Sequence, residues 1–419
     1  MPAPKRTGRR SLLVTSATLL SLSVTAPAAL AAPTPSTSPT ATPPARMSTL
    51  GGARLGQPGT QVALAPGVPV LPKDLTARSW IVSDAESGQV LAAHNAHWRL
   101  PPASTLKMLF ADTVLPRFPK TTRYKVAPKD LKGMGAGSSV VGIKEGGTYS
   151  VHDLWLGVFL RSGNDAVHVL SSMNGGVKQT VEDMQDHAEE LQALDTTVVS
   201  PDGYDAPGQV SSAYDLTLFA RSGLQKKDFR EYCSTVSAKF GSAEIRNTNR
   251  LLSGDSDVPV YQGIAGVKNG NTTHAGATFT GVAERGGKVL LVTVMNPAKN
   301  EHNEVYKESA KLFDWGFKAA GKVDPVGELV PPKSAGSSTA GPDAAASAGQ
   351  AGQDPGQTSG GTGGAGAKPA ASAPAESGTS GVGTALAVAG GLLVLLGGGV
   401  FLVNRRWPLP DLMRRRTRS

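Results

Sequence analysis

A chain of 419 residues can hold more than one domain, so length alone decides little. The net charge of +9 is better placed than it is large: Lys5, Arg6, Arg9 and Arg10 open the chain, and six arginines against Asp411 close it after Asn404. Residues 11–403 are neutral in sum, which excludes a basic nucleic-acid-binding face and turns the basic ends into topology signals. The single cysteine, Cys233, allows no intramolecular disulfide and has no neighbours for a cysteine metal site, so it reads as a buried structural thiol.

In chain order, residues 1–31 have the three parts of a secretory signal. Basic residues come first, then an apolar stretch from Leu12 to Val24, then Ala29-Leu30-Ala31 as a small-residue cleavage site. Residues 32–69, Pro- and Thr-rich at their start, are expected to be a low-complexity flexible segment. Residues 70–325 have the mixed polar and apolar texture of one folded domain, large enough for its own core. Within it, Ser79–Ser83 and Gln89–His94 flank a turn at Asp84–Gly88 and predict a hairpin. Ser104–Leu115 has helical apolar spacing ahead of Pro116, and Ser150-Val151-His152-Asp153 predicts a capping box opening a helix. Val177–Leu194 and Ser211–Leu224 also read as helices. Thr278–Ala283 and Lys288–Met295 predict a second hairpin, and Asn300–Ala320 a last helix.

Beyond the domain, residues 326–380 are a Gly/Ser/Ala/Pro tract with few large apolar residues, expected to be a disordered tether with an r.m.s. reach of roughly 40 Å. Residues 381–403 are uncharged and long enough to cross a bilayer as a helix. The arginines that follow, in the basic tail 404–419, predict a cytoplasmic C-terminus and an extracytoplasmic domain on a single-pass membrane anchor.

Three short motifs carry chemistry. Ser104-Thr105-Leu106-Lys107 puts a hydroxyl and an amine on one helical face, and a lysine with a lowered pKa can activate a serine. Ser162-Gly163-Asn164 falls between two helical runs, where a hydroxyl could pass a proton and an amide could hold a peptide carbonyl. Lys268-Asn269-Gly270 precedes the second hairpin and offers a cation for a substrate carboxylate beside a glycine that lets a substrate backbone come close. Each alone more often marks ordinary structure: a helix cap with a solvated lysine, a turn, and another turn. Their order is the informative part.

That order, with its surroundings, resembles the D-alanyl-D-alanine carboxypeptidases among the low-molecular-mass penicillin-binding proteins, peptidase family S11. The likeness is carried by Ser79–Leu109, Leu160–Ala166, Asn247–Leu252 and Gly263–Gly276, and it spans about Ala77 to Phe317. The resemblance implies a mixed α/β (α+β) fold of the serine β-lactamase and penicillin-binding transpeptidase type, an antiparallel sheet packed with helices plus a helical subdomain. The residues after Lys322 are too few for a second β-domain. It implies Ser104 as the nucleophile that is acylated by the penultimate D-Ala, Lys107 as its base, and Ser162 as a link between Lys107 and Lys268. Asn164 would orient the substrate, Lys268 would attract its terminal carboxylate, and Gly270 and Thr272 match the family loop. Backbone N–H groups of Ser104 and Asn271 would form the oxyanion hole. The implied partners are peptidoglycan stem peptides ending in D-Ala-D-Ala and β-lactams as covalent inhibitors, with no cofactor, no metal and no nucleic acid.

One position departs from the family: Asn269 stands where threonine is usual, and that threonine's hydroxyl binds the terminal carboxylate. The departure keeps open a catalytically weak penicillin- or wall-binding module, and the same residues would also serve a D,D-endopeptidase acting on cross-links. A β-lactamase is disfavoured, because residues 195–215 hold no Glu-x-x-Leu-Asn to supply a deacylating base. His274, in the same loop, is expected to be a surface histidine, with no partner residue that suggests a catalytic role.

Overall fold

A computed structural model of the chain describes residues 42–299 and 301–337. The signal segment 1–31, the tether from 338 to 380, the apolar run 381–403 and the tail 404–419 lie outside the described residues. No helix among the described residues is long and apolar enough to cross a membrane.

The strands are β1 (Thr60–Val62), β2 (Ala77–Asp84), β3 (Gln89–His94), β4 (Arg123–Lys125), β5 (Thr148–Ser150), β6 (Ser237–Phe240), β7 (Ala243–Arg246), β8 (Ile264–Thr272), β9 (Gly276–Arg285), β10 (Lys288–Pro297) and β11 (Gly327–Glu328). The helices are α1 (Lys107–Val114), α2 (Val151–Arg161), α3 (Asn164–Met173), α4 (Val177–Glu190), α5 (Ala213–Gly223), α6 (Lys227–Ser234), α7 (Arg250–Ser253) and α8 (Glu304–Ala319). A seven-stranded antiparallel sheet runs in the order β1-β3-β2-β10-β9-β8, with β11 also on β3. This is the mixed sheet-and-helix architecture the sequence predicts.

Both predicted hairpins form: Trp80 pairs with His94 across the first, and Lys288 with Arg285 across the second. The central strands β9 and β10 are buried along most of their length, as strands covered on both faces must be. One face carries α8, whose Val305, Leu312, Phe313 and Trp315 pack with Trp80, Val82, Phe279 and Val292. On α8 the fully buried Glu308 accepts the Thr76 N–H at 2.8 Å and the Ala77 N–H at 3.0 Å, fixing the start of β2. The other face carries α5 and α1 and merges with the helical region, where Phe110, Trp155, Phe159, Phe229 and Tyr232 interlock. The capping box is present. Asp153 N–H donates to Ser150 Oγ at 3.1 Å and Ser150 N–H to Asp153 Oδ2 at 3.2 Å, and α2 begins there.

The domain is wider than 70–325. Within the stretch read as flexible, Leu55 is fully buried and β1 pairs with β3. After residue 325, Val326 and Leu329 are buried, Glu328 N–H donates to Gly51 O at 2.7 Å, and Tyr214 donates to Glu328 O at 2.8 Å. Composition misjudged both arms because each places only a few apolar residues in the core, Leu55 in the first and Val326 and Leu329 in the second. His97 ties the first arm down. Its Nε2 reaches Leu50 O at 3.0 Å while its Nδ1 meets Asp195 Oδ2 at 2.6 Å. Cys233 is fully buried, and burial pushes its thiol up to about 12.

Candidate active site

The nucleophile candidate Ser104 lies in a 3₁₀ turn, Ala103–Leu106, that runs directly into α1. Ala103 just before it has φ of 50°, a left-handed conformation that an L-residue adopts at a cost of order 1 kcal/mol. Several neighbours hold this turn. Pro102 O accepts from Thr105 Oγ1 at 2.5 Å and from Thr278 Oγ1 on β9 at 3.0 Å. Two glycines admit it: a Cβ on Gly270 would lie 2.6 Å from Ser104 N, and one on Gly203, at φ +77°, would lie 2.0 Å from Ala103 O. Gly270 therefore answers to close packing of β8 on the serine turn, a different reason from the close substrate backbone expected of it.

Lys107 opens α1 and is 1% exposed. Its Nζ donates to Ser104 Oγ at 2.8 Å and to Asp202 O at 2.5 Å. Burial lowers its pKa from 10.5 to about 8, against the opposing pull of Asp202 and Asp165. Asp202 itself is brought down to about 2. Burial works the other way, but His168, Lys107, the Tyr204 N–H and the Ser200 hydroxyl outweigh it.

Ser162 ends α2 in the left-handed conformation, φ 55° and ψ 30°, so the chain reverses at once into α3. Lys268, on β8 and 1% exposed, donates to Ser162 Oγ at 3.1 Å and to Asn269 O at 2.7 Å. Its pKa is lowered well below the ordinary lysine value, first by burial and then by the charge of Lys107. The two lysines thus share one low-dielectric pocket and oppose each other's charge. The described hydrogen bonds form two pairs, Ser104 with Lys107 and Ser162 with Lys268; they contain the Lys268 half of the link expected of Ser162.

Asn164, at the start of α3, donates from Nδ2 to Ser138 Oγ at 2.9 Å, while its buried Oδ1 has no hydrogen-bond partner among the described residues. The loop bearing Ser138 is held from below by Asp165. That carboxylate accepts the N–H groups of Val141 at 3.0 Å, Gly142 at 2.8 Å and Ile143 at 2.9 Å. Ser104, Ser138, Asn164, Tyr204, Asn271 and Thr272 line a common cleft of about 470 Å³. A separate and more apolar groove of about 780 Å³, lined by Leu218, Leu224, Ala265 and Val289, contains none of these residues.

Lys268-Asn269-Gly270 lies inside a strand rather than in a turn before the hairpin. β8 pairs with β9 from Val267↔Gly281 through Thr272↔Gly276 and ends the order of the sheet. Asn and Gly obscure the strand in sequence, but its edge position and the packing on Ser104 require them or tolerate them. Asn269 accepts a hydrogen bond from Thr248 Oγ1 at 3.1 Å and faces a polar cleft of about 620 Å³. Asn271 and Thr272 follow; Thr272 Oγ1 donates to Asp205 Oδ1 at 2.7 Å. His274 is exposed, as expected of a surface histidine, and it contacts Asp205. Its N–H donates to Asp205 Oδ2 at 3.1 Å, and its ring Nδ1 lies 3.7 Å from the same oxygen.

Sequence reasoning missed the supports: Asp202, Asp205, Tyr204, Ser138 and Thr248. Their signal was slight, a Pro-Asp-Gly-Tyr turn at 201–204 and the Asn-Thr-Asn run at 247–249, because what they supply is mostly backbone contact or a bond to another site residue.

The sequence profile of peptidase family S11, described as D-alanyl-D-alanine carboxypeptidase, matches residues 66–299. The chain is 36% identical over 247 residues to D-alanyl-D-alanine carboxypeptidase DacB2 of Mycobacterium tuberculosis, covering 58% of this chain and 83% of that one. To DacD of Escherichia coli it is 33% identical over 258 residues, covering 58% and 64%. The crystal structure of D-alanyl-D-alanine carboxypeptidase from Mycobacterium tuberculosis H37Rv superposes with a TM-score of 0.58 at 35% identity, over 64% of this chain and all of that one. With its serine turn, its two buried lysines and this match over most of the folded residues, the chain belongs to the peptidase S11 family of D-alanyl-D-alanine carboxypeptidases.

Proposed function

We propose that the protein is a serine-type D-alanyl-D-alanine carboxypeptidase that removes the terminal D-Ala from peptidoglycan stem peptides through an acyl-enzyme on Ser104. The 2.8 Å contact between Lys107 Nζ and Ser104 Oγ carries the reading, because it pairs a hydroxyl with an amine whose pKa burial has brought to about 8. The substrate's carboxylate favours positive charge on the nearer lysine, Lys268. Charge there keeps Lys107 neutral, able to take the Ser104 proton as the hydroxyl attacks the penultimate carbonyl. Backbone N–H groups of Ser104 and Asn271 receive the developing oxyanion. The proton on Lys107 passes to the departing D-Ala amine, and water then cleaves the ester on Ser104, releasing the shortened peptide. Asn164 Oδ1, buried and without a partner, is suited to accept an N–H from the stem peptide. β-Lactams acylate the same serine.

The test is D-Ala release from an N-acyl-D-Ala-D-Ala peptide by the purified protein and by Ser104→Ala. Release that disappears in the variant supports the reading; release that persists in it, or no release by the native protein, overturns it.

The localisation reading rests on sequence: a domain exported by residues 1–31 and held outside the cell by a span at 381–403, with the basic tail inside. A chain ending at residue 380 should move from the membrane fraction to the medium. Retention of that shortened chain in the membrane would overturn the anchor.

A further inference from the structure

Lys107 is held at two points, and only one of them reacts. Its Nζ donates to Ser104 Oγ and, at 2.5 Å, to the carbonyl of Asp202. Asp202 thus touches the base with its backbone, while its carboxylate is turned elsewhere. Oδ1 accepts from Ser200 Oγ at 2.9 Å and from the Tyr204 N–H at 2.9 Å, which shapes the turn 200–204 from within. Oδ2 faces the ring of His168, whose Nε2 lies 3.5 Å away, and both side chains are buried. His168 stands one turn after Asn164 on α3. Its Nδ1 is 3.1 Å from Lys132 O, and a carbonyl only accepts, so that nitrogen carries a hydrogen and Nε2 is left for Asp202. A hydrogen on Nε2 as well makes the ring a cation facing an anion.

We propose that His168 is a positioning residue for the acylation of Ser104, its Nε2 holding the Asp202 carboxylate so that Lys107 meets the Asp202 carbonyl and not the carboxylate. The inference deepens the carboxypeptidase reading and rests on it. A lysine that reaches a buried carboxylate forms an ion pair, stays protonated and cannot take the serine proton. Asp202 already pulls Lys107 in that direction, and the amine stays low because burial outweighs the pull. Among the described residues no other carboxylate lies within ion-pair distance of the His168 ring. Asp165, three residues earlier on α3, accepts the N–H groups of Val141, Gly142 and Ile143. Asp130, in the turn Pro128–Leu131 that packs on α3, accepts the Ala127 N–H. On its other side the turn 200–204 has no slack, since a Cβ on Gly203 would lie 2.0 Å from Ala103 O. His168 therefore joins three walls of the site: α3 with Asn164, the chain that leads from Lys132 to Ser138, and the turn under Lys107. It acts on the base through Asp202 and touches neither Lys107 nor substrate.

Two substitutions divide the ring. His168→Gln places an amide N–H near the position of Nε2 and His168→Asn near that of Nδ1, so the first keeps the Asp202 contact and the second only the Lys132 one. For N-acyl-D-Ala-D-Ala, His168→Asn should lower kcat/KM about tenfold, while the affinity of the Ser104→Ala form for the same peptide stays within about twofold. His168→Gln should keep kcat/KM within about threefold of native. Asp202→Ala removes the carboxylate and keeps the carbonyl, and in that background His168→Asn should change kcat/KM by less than about twofold. Native kcat/KM in His168→Asn overturns the proposal. So do equal losses in the Asn and Gln variants, or an equal loss without the Asp202 carboxylate, either of which would make His168 a merely structural residue. If His168→Asn does not fold, His168→Phe, which fills the space with neither nitrogen, carries the same expectation, and native kcat/KM in it overturns the proposal. The rate of Ser104 acylation by benzylpenicillin, read by intact mass, should fall in the same order. A native protein whose acylation depends on His168 in this way but that releases no D-Ala counts against the carboxypeptidase reading alone; one that is neither acylated nor active overturns both.

Discussion

Among the described residues, two buried pairs of like charge are put to opposite uses. Lys107 and Lys268 lie beside the cleft, each 1% exposed and each with its pKa depressed. Asp195 and Asp215 lie under the first arm, where burial and the charge of Asp195 raise Asp215 well above the usual carboxylate range. Asp215 Oδ2 accepts the Asp195 N–H at 2.9 Å and Thr196 Oγ1 at 2.7 Å, and Asp195 meets His97 at 2.6 Å. The lysines are engaged partly by serine hydroxyls, Ser104 and Ser162, which can exchange protons. Burial of like charges is the same physics in both; what separates a reactive pair from a structural one is whether a cleft adjoins it, as one adjoins Ser104 beside Lys107.

The comparison breaks first at Lys107. Lys107→Met keeps the volume and removes the base, so kcat/KM for D-Ala release should fall about 10³-fold. Its effect on stability has the other sign. A lysine depressed from 10.5 to about 8 on folding carries a cost that is complete below about pH 8 and vanishes above 10.5, so at pH 7 the variant should melt no lower than the native protein. A lower Tm would mean that the amine is structural. Asp195→Ala should do the reverse. It leaves His97 buried without its carboxylate and should cost about 3 kcal/mol in a denaturant titration, with kcat/KM unchanged within about twofold. A fall in kcat/KM at unchanged stability would merge the two pairs into one functional unit.

A milder test is pH. The neutral form of Lys107 is the active one, so kcat/KM should climb about tenfold per unit well below pH 8 and level off above it. A profile already flat between pH 6 and 7 would place the base elsewhere. The smallest effect is expected at Asn269. An amide can donate a hydrogen bond as a hydroxyl does, so Asn269→Thr should change kcat/KM by less than about threefold; a larger gain would show the asparagine to be an impaired substitute for the family threonine.

Sequence carried the parts of the fold that announce themselves locally. The hairpins at 84–88 and 284–287 have turn residues between β-branched runs, and the box at Ser150 and Asp153 has both of its reciprocal donors. It did not reveal β8 as a strand, because Asn and Gly at 269–271 serve packing on Ser104 and not strand propensity. Nor did it reveal the arms at 47–62 and 326–330, whose hold on the domain is a matter of a few long-range bonds such as His97 to Leu50. At the site, the residues presumed to meet substrate were legible as motifs. The ones behind them, Asp165 under the Ser138 loop and Asp202 under Lys107, act through backbone N–H and C=O groups, which no side-chain pattern encodes.

The order of the sheet has a mechanical consequence. Both arms pair with β3, while Lys268 and Gly270 lie on β8 at the opposite end, with β2, β10 and β9 between them. At about 4.8 Å per strand, that is roughly 20 Å of hydrogen-bonded sheet between the place where the chain enters and leaves and the place where it works. Tension applied along the chain past residue 337 would load the Ser334–Glu190 and Gln192–Pro331 hydrogen bonds first and then the short β11 on β3, all of it before the strands that carry Lys268.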